Sequence, residues 1–482
     1  MTPELFQRGF IEKLPENLVV CSLSLDSERD DLYLTRMTKD SNPVMVKLPL
    51  GRYGNRESAE EGFEYGSRNI FCTFSDLMAR SKASIKKAGS CSTKQDKMRW
   101  WEERATLDKQ LETLLFQIES TGLGGFKCLL LPSSPKSETE ISEFRKSLGS
   151  ALYRATSPKS SNISSMEINR ELCVALMELG SNPSDSDVED IMFYFLDSLH
   201  YGGNPIDYGE IDADMLSAEI HLAFEKIHSP PPPIDASTVL LIDKQLQQLP
   251  WESLPVLRGR PVTRLPTLSF LRDRLELAPS WRENQSRMGV YTVNQTRISY
   301  VLNPDGDLVG TERNFRDLLS CQSNWQGLVG ERPTESDMKD FLCNKDVFIY
   351  FGHNGGEQYI RGQKVRRLER SAVALLMGCS SGYLQDGGEF DPTGTALNFL
   401  MAGSPALVAN LWDVTDKDID RFSVNLLQEW GLLRSSSDLS GAECQESKSL
   451  AQCVTSSREK CTFKFLNGAA PVVYGVPWVF VR

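Results

Sequence analysis

Two short runs in this chain have scarcely a polar atom and stop on a glycine: Asp346-Val-Phe-Ile-Tyr-Phe-Gly352 and Ala372-Val-Ala-Leu-Leu-Met-Gly378. Their length and their β-branched and aromatic content are those of strands buried on both faces, as in a parallel sheet covered by helices. The first run continues into His353-Asn354-Gly355-Gly356 and the second into Cys379-Ser380-Ser381-Gly382, with the histidine and cysteine 26 positions apart. In open parallel sheets the binding crevice lies outside the carboxyl ends of the strands. Adjacent strands therefore put His353, a base, beside Cys379, a thiol nucleophile.

The surrounding pattern extends this sheet. Strands are expected at 297–302, 346–350, 372–377 and 405–412, and helices at about 311–320, 334–342, 394–403 and 415–430. That alternation, from about residue 285 onward, predicts a doubly wound α/β layer. Upstream, 17–25, 31–36 and 43–48 read as strands. From about residue 75 to 228 the apolar spacing becomes helical and predicts an all-α insert. Pro230–Pro233 is a stiff connector. The expected division is thus 1–284, a mixed α/β domain with a helical insert, and 285–482, the α/β domain.

Composition narrows the function. At 482 residues the chain is expected to form two or three domains, and a net charge of −12 argues against a general nucleic-acid binder. Eleven cysteines without a CxxC pair fit a reduced protein of the cytoplasm or nucleus better than a disulfide framework. No signal sequence or membrane-spanning stretch is evident, and no His/Cys group has the spacing of metal ligands, so neither membrane, metal nor cofactor is expected. The missing phosphate loop argues against a nucleotide-binding protein. Only four histidines occur. His200, His221 and His228 lie in helical segments, leaving His353 as the general base.

The chemistry these residues allow is nucleophilic. His353 would take the thiol proton of Cys379 and later protonate a leaving amine. The amides of Cys379 and of Asn354 or Gly355 would form an oxyanion hole. The plain alternative for Cys379 is a packed core thiol, since free cysteine is usually buried; the glycines on both loops argue against it. A third segment on the same edge, Asp413-Val-Thr-Asp416-Lys-Asp418-Ile-Asp420, offers four carboxylates to a guanidinium or ammonium group. Thr415 and Asp418 also have the spacing of a capping box, a role that can coexist with a pocket. The basic run Arg361, Lys364, Arg366, Arg367 and Arg370 offers a partner to an acidic or phosphorylated segment.

Phe351-Gly-His353-Asn-Gly-Gly356, Met377-Gly-Cys379-Ser-Ser381 and Asn410-Leu-Trp-Asp413-Val-Thr-Asp416-Lys-Asp418-Ile-Asp420 together resemble the catalytic end of separase. Leu249-Pro-Trp-Glu-Ser-Leu-Pro255 and Arg264-Leu-Pro-Thr-Leu268 are similar to the region leading into it. The resemblance implies a caspase-like fold with Cys379 and His353 as a catalytic dyad, and 1–284 as a substrate-supporting domain. It also implies cleavage after arginine in a Ser/Asp-x-Glu-x-x-Arg context, with Asp420, then Asp418 and Asp413, for the arginine contact. The implied partners are securin, as an inhibitory pseudosubstrate, and the cohesin kleisin subunit as substrate, in a protein of cytoplasm and nucleus that releases sister chromatids. Ser165-Met-Glu167-Ile-Asn-Arg170 fits the cleavage context, so self-cleavage after Arg170 is a further expectation. The competing readings are a catalytically silent scaffold of the same fold and a CHAT-type peptidase of other specificity. Residues 431–468 read only as a polar loop or insertion.

Overall fold

In a computed structural model the chain is described over residues 2–28, 30–50, 67–89, 91–156, 167–202, 206–228, 230–281, 289–433 and 447–482. It forms two compact units, one of residues 1–67 and 116–238, the other of 68–115 and 239–482. The second unit therefore contains both the stretch 239–284 and a helical hairpin of Ser67–Ala88 and Lys94–Gln117.

In the first unit β1 (Leu18–Leu25), β2 (Asp31–Met37) and β3 (Val44–Pro49) form an antiparallel meander. Strand β3 alternates buried and exposed residues, as a sheet with one covered face requires. Four helices, α1 (Glu138–Thr156), α2 (Arg170–Leu176), α3 (Asp185–Tyr201) and α4 (Ala213–Glu225), belong to the same unit. Arg36, buried beneath the meander, donates to the carbonyls of Leu129 and Leu131, so its charge is satisfied without water.

The second unit is built on β4 (Ser237–Ile242), β5 (Val262–Leu265), β6 (Ile298–Leu302), β7 (Gln326–Val329), β8 (Val347–Phe351), β9 (Val373–Leu376), β12 (Ala406–Asn410) and β13 (Pro471–Gly475). Their order across the sheet is β4-β5-β13-β12-β9-β8-β6-β7. Strands β7, β6, β8, β9 and β12 run parallel to one another, and β13 is antiparallel to β12. A small hairpin, β10 (Gln385–Gly387) and β11 (Phe390–Thr393), leaves the carboxyl side of β9. Helices α5 (Val309–Ser320), α6 (Glu335–Asn344), α7 (Thr395–Met401) and α8 (Asp416–Glu429) alternate with the parallel strands, and α9 (Leu450–Arg458) packs on α8 and β13. The fold is the expected α/β layer with a mostly parallel sheet flanked by helices.

Each apolar run behaves as its composition demands. Every residue of β8 and β9 is buried, at about 1.5–3 kcal/mol for each large aliphatic or aromatic side chain. Asp346 ends this burial on a charge: it accepts from Asn294 N–H at 2.9 Å and from Arg370 at 3.0 Å, anchoring the amino end of β8. Arg264 on β5 holds Glu252 through two bonds of 2.6 and 2.7 Å, both side chains buried. This pair ties the Leu249–Pro255 and Arg264–Leu268 segments together.

Candidate active site

Strands β8 and β9 are in parallel register with Tyr350 opposite Leu376, so His353 and Cys379 each lie three residues beyond a paired position. The two loops they occupy are pressed together at Gly378. A Cβ there would stand 2.0 Å from the Asn354 carbonyl oxygen and 2.6 Å from that of Gly352, so only glycine fits. Asn354 and Ser380, the residues just after the candidate pair, both have φ of +53°, a left-handed conformation that turns each chain sharply off its strand.

His353 and Cys379 line one narrow cleft with Thr311, Val414, Asp416 and Asp420. The cleft encloses only about 30 Å³, less than a long side chain fills. The Cys379 thiol is half-buried and donates to the Val414 carbonyl at 3.4 Å. Burial pushes its pKa up to about 11, with Asp413 and Asp416 adding to the effect. His353 is half-exposed, and its Nε2 is 2.7 Å from Asp307 Oδ2 on the loop after β6. That contact orients the ring through Nε2. The His353 carbonyl accepts from the Tyr350 hydroxyl at 3.0 Å, holding the loop on its strand. Sequence reading missed Asp307; its Asn303-Pro-Asp-Gly-Asp307 turn at a strand end was the available signal.

The candidate oxyanion donors separate. Gly355 N–H is engaged by the Glu357 carboxylate at 2.9 Å, whereas Cys379 and Asn354 amides make no backbone hydrogen bond among the described residues. The aspartates separate too. Asp420 alone of the three expected for an arginine contact lines the cleft. Its Oδ2 accepts from Asn314 at 2.8 Å, while its buried Oδ1 makes no well-formed hydrogen bond among the described residues, with the Thr311 side chain nearby. Burial pushes its carboxyl up to about 6, against the pull of Asn314 and Thr311. Asp416 stands at the mouth of the same cleft, its carboxyl raised by desolvation and drawn back by His353.

Asp418 points elsewhere. It accepts from Thr462 N–H, Phe463 N–H, the Asn467 amide and Arg421, four bonds that outweigh burial and hold its carboxyl below the ordinary range. Thr415 makes no side-chain cap of α8; its hydroxyl accepts from Asn467 instead, so the capping box read from the spacing does not form. Asp413 accepts from the Ser380 hydroxyl at 2.5 Å and faces Lys82 of the helical hairpin at 3.6 Å. Lys82 and Asp413 border a separate cavity of about 410 Å³ that also reaches Ser380. The basic run disperses: Lys364 pairs with Glu335, Arg370 with Asp346, and Arg366 donates to Asn398. Residues 447–468 are α9 and the loop that grips Asp418, not merely a polar insertion.

Arg170 lies in the first unit as the first residue of α2, ion-paired with Glu138, with Asn169 capping the helix; Ser165 and Met166 lie outside the described residues. Among the described residues no group of acidic, histidine and cysteine side chains is placed to hold a metal, and no helix is long and apolar enough to cross a membrane.

Residues 27–419 match the family described as Separin, protease domain. Separin of Emericella nidulans is 39% identical across 99% of the chain, and that of Schizosaccharomyces pombe 37% identical across 98%. The chain spans 23% and 25% of those two proteins. The separase of the Saccharomyces cerevisiae separase–securin crystal structure superposes with a TM-score of 0.85, 26% identity, 99% of this chain and 31% of that one. With a family match over most of its length and a fold shared along nearly all of it, the chain belongs to the separin protease-domain family.

Proposed function

We propose that the chain is a cysteine endopeptidase that cleaves after arginine, with Cys379 as nucleophile and His353 as base. One observation carries the reading: Cys379, His353 and the buried, under-bonded Asp420 share a single cleft at the carboxyl edge of the sheet. A substrate guanidinium entering the cleft would supply the hydrogen bonds Asp420 Oδ1 lacks and favour its ionised form. With a thiol pKa near 11, Cys379 is no preformed thiolate. His353, oriented by Asp307, removes its proton as sulfur attacks the scissile carbonyl carbon. The oxygen then gathers charge toward the amides of Cys379 and Asn354, a role Gly355 would fill only if it released Glu357. Collapse breaks the C–N bond, His353 protonates the leaving amine, and water hydrolyses the thioester.

The Ser/Asp-x-Glu-x-x-Arg context, the cohesin kleisin as substrate, and work in cytoplasm and nucleus belong to this reading, as does the division into a supporting 1–284 and a catalytic 285–482. The solved relative is named as a complex with securin, which supports securin as an inhibitory partner here. An upstream glutamate finds a cation in Lys82, within electrostatic reach of Cys379. The thiol's bond to Val414 is the one feature favouring a silent scaffold.

A fluorogenic Ser-x-Glu-x-x-Arg peptide tests the reading. Cys379→Ser and His353→Ala are each expected to lower kcat/KM by at least about 1000-fold. Turnover surviving Cys379→Ser would remove the mechanism. No turnover by folded wild type would favour the scaffold.

A further inference from the structure

A second pair of cavities opens on the His353 side of the nucleophile. The first, about 580 Å³, begins at Asn354 and Ser380, the residues following the candidate base and nucleophile. Gln363, Arg366, Gln385 and Asn398 are among its lining residues. The second, about 650 Å³, shares Arg366 and Thr393 with the first and is walled by Leu384, Leu397, Leu400, Met401 and Phe270. Joined at Arg366, they form a groove that starts beside Cys379, crosses the base of the β10–β11 hairpin and ends on an apolar wall where Met401 is 61% exposed.

Direction follows from the chemistry. The acyl half of a substrate stays on Cys379, its arginine beside Asp420. The amine half takes its proton from His353 and departs past the loop that carries Asn354. The groove beginning at Asn354 therefore faces the leaving half. Its charge is unbalanced near the site: Glu357 is already engaged by Gly355 N–H and the Thr395 hydroxyl, whereas Arg366 is exposed and, among the described residues, bonds through its Nε to Asn398 alone. Lys244 on the far rim holds the hairpin tip through the Gly388 carbonyl at 2.5 Å, so the groove has a fixed outer edge.

We propose that this groove binds the substrate segment downstream of the scissile bond, with an acidic side chain at Arg366 and an apolar one on the Leu397–Met401 wall. The proposal rests on the peptidase reading above. An extended strand advances about 3.3 Å per residue, so the two preferences fall at separate downstream positions.

The test uses internally quenched peptides that share one upstream Ser-x-Glu-x-x-Arg half and carry Asp or Lys, then Leu or Ser, at successive downstream positions. The chain is titrated by active-site alkylation so that rates refer to folded enzyme. Wild type is expected to favour Asp over Lys at one downstream position by at least about tenfold in kcat/KM, a ratio of about 1.4 kcal/mol. Arg366→Glu should reverse that ratio, and Met401→Asp should erase the Leu preference further along while leaving the Asp preference. Turnover with a downstream preference indifferent to both substitutions overturns the inference alone. Absence of turnover with every peptide overturns the peptidase reading and the inference with it.

Discussion

Asp420 carries opposing demands. Its carboxyl, pushed by burial to about 6, costs the folded state whenever it is ionised without a partner. A raised carboxyl contributes its stability fully at pH below the ordinary carboxylate range and loses it as pH rises through about 6. Removing the charge should therefore help the fold where it harms the chemistry. Asp420→Asn is expected to stabilise the chain by about 2 kcal/mol at pH 7.5, with the gain vanishing near pH 4. Cleavage after arginine should fall at least about 100-fold. Urea denaturation at the two pH values and peptide kinetics check both halves. A variant less stable than wild type at pH 7.5 would show that the carboxylate is better solvated than its burial indicates. In the wild type, kcat/KM for an arginyl peptide should decline as pH drops through about 6.

The hairpin of Ser67–Ala88 and Lys94–Gln117 is the element tied to the start of α8 by a chain of hydrogen bonds. Fully buried Arg104 donates to Ser81 at 3.0 Å and to Asn467 Oδ1 at 3.0 Å; Asn467 in turn donates to Asp418 and to Thr415 at 2.8 Å, at the start of α8. Asp108 accepts the N–H groups of Phe465 and Leu466 beside this relay. Arg104→Met should cost about 3 kcal/mol, since it strands buried acceptors on both sides. Arg104→Lys should not restore it, because one ammonium cannot reproduce the guanidinium fork. Chemical denaturation of both variants measures this, and a Lys variant matching wild type would argue against the relay. The second helix was legible from the apolar spacing of Leu107, Leu111, Leu114 and Leu115, whereas the first, rich in serine and lysine, was not, and neither showed which body it packs on, because an amphipathic face announces burial without naming its partner. The same limit hid the role of Asp418: four aspartates in one segment look alike until loop 462–467, over 40 residues on, claims one. Strands β8 and β9 were legible because parallel burial leaves a continuous apolar run. Edge strand β7 was not, its residues being only partly covered.

At the scale of the whole molecule, the chain carries a match to the cleavage context within its own sequence. Self-cleavage after Arg170, expected from the sequence, would follow from the proposed peptidase activity, and the fold sets its terms. The bond to Glu171 lies in the first turn of α2, where the Asn169 side chain accepts Leu172 N–H at 2.9 Å and Arg170 pairs with Glu138. A peptidase takes up its substrate extended, so that turn must open first, and the rate should follow the open fraction. Removing the cap in Asn169→Ala costs the turn about 1 kcal/mol, enough to raise that fraction about fivefold. Incubation of the active chain is expected to yield a new amino terminus at Glu171, about fivefold faster in Asn169→Ala and not at all in Cys379→Ser. Dilution separates cleavage within a molecule, whose fractional rate is independent of concentration, from cleavage between copies, whose rate falls in proportion. An intact mass that persists in Asn169→Ala while the same sample cleaves the arginyl peptide would exclude Arg170 as a site.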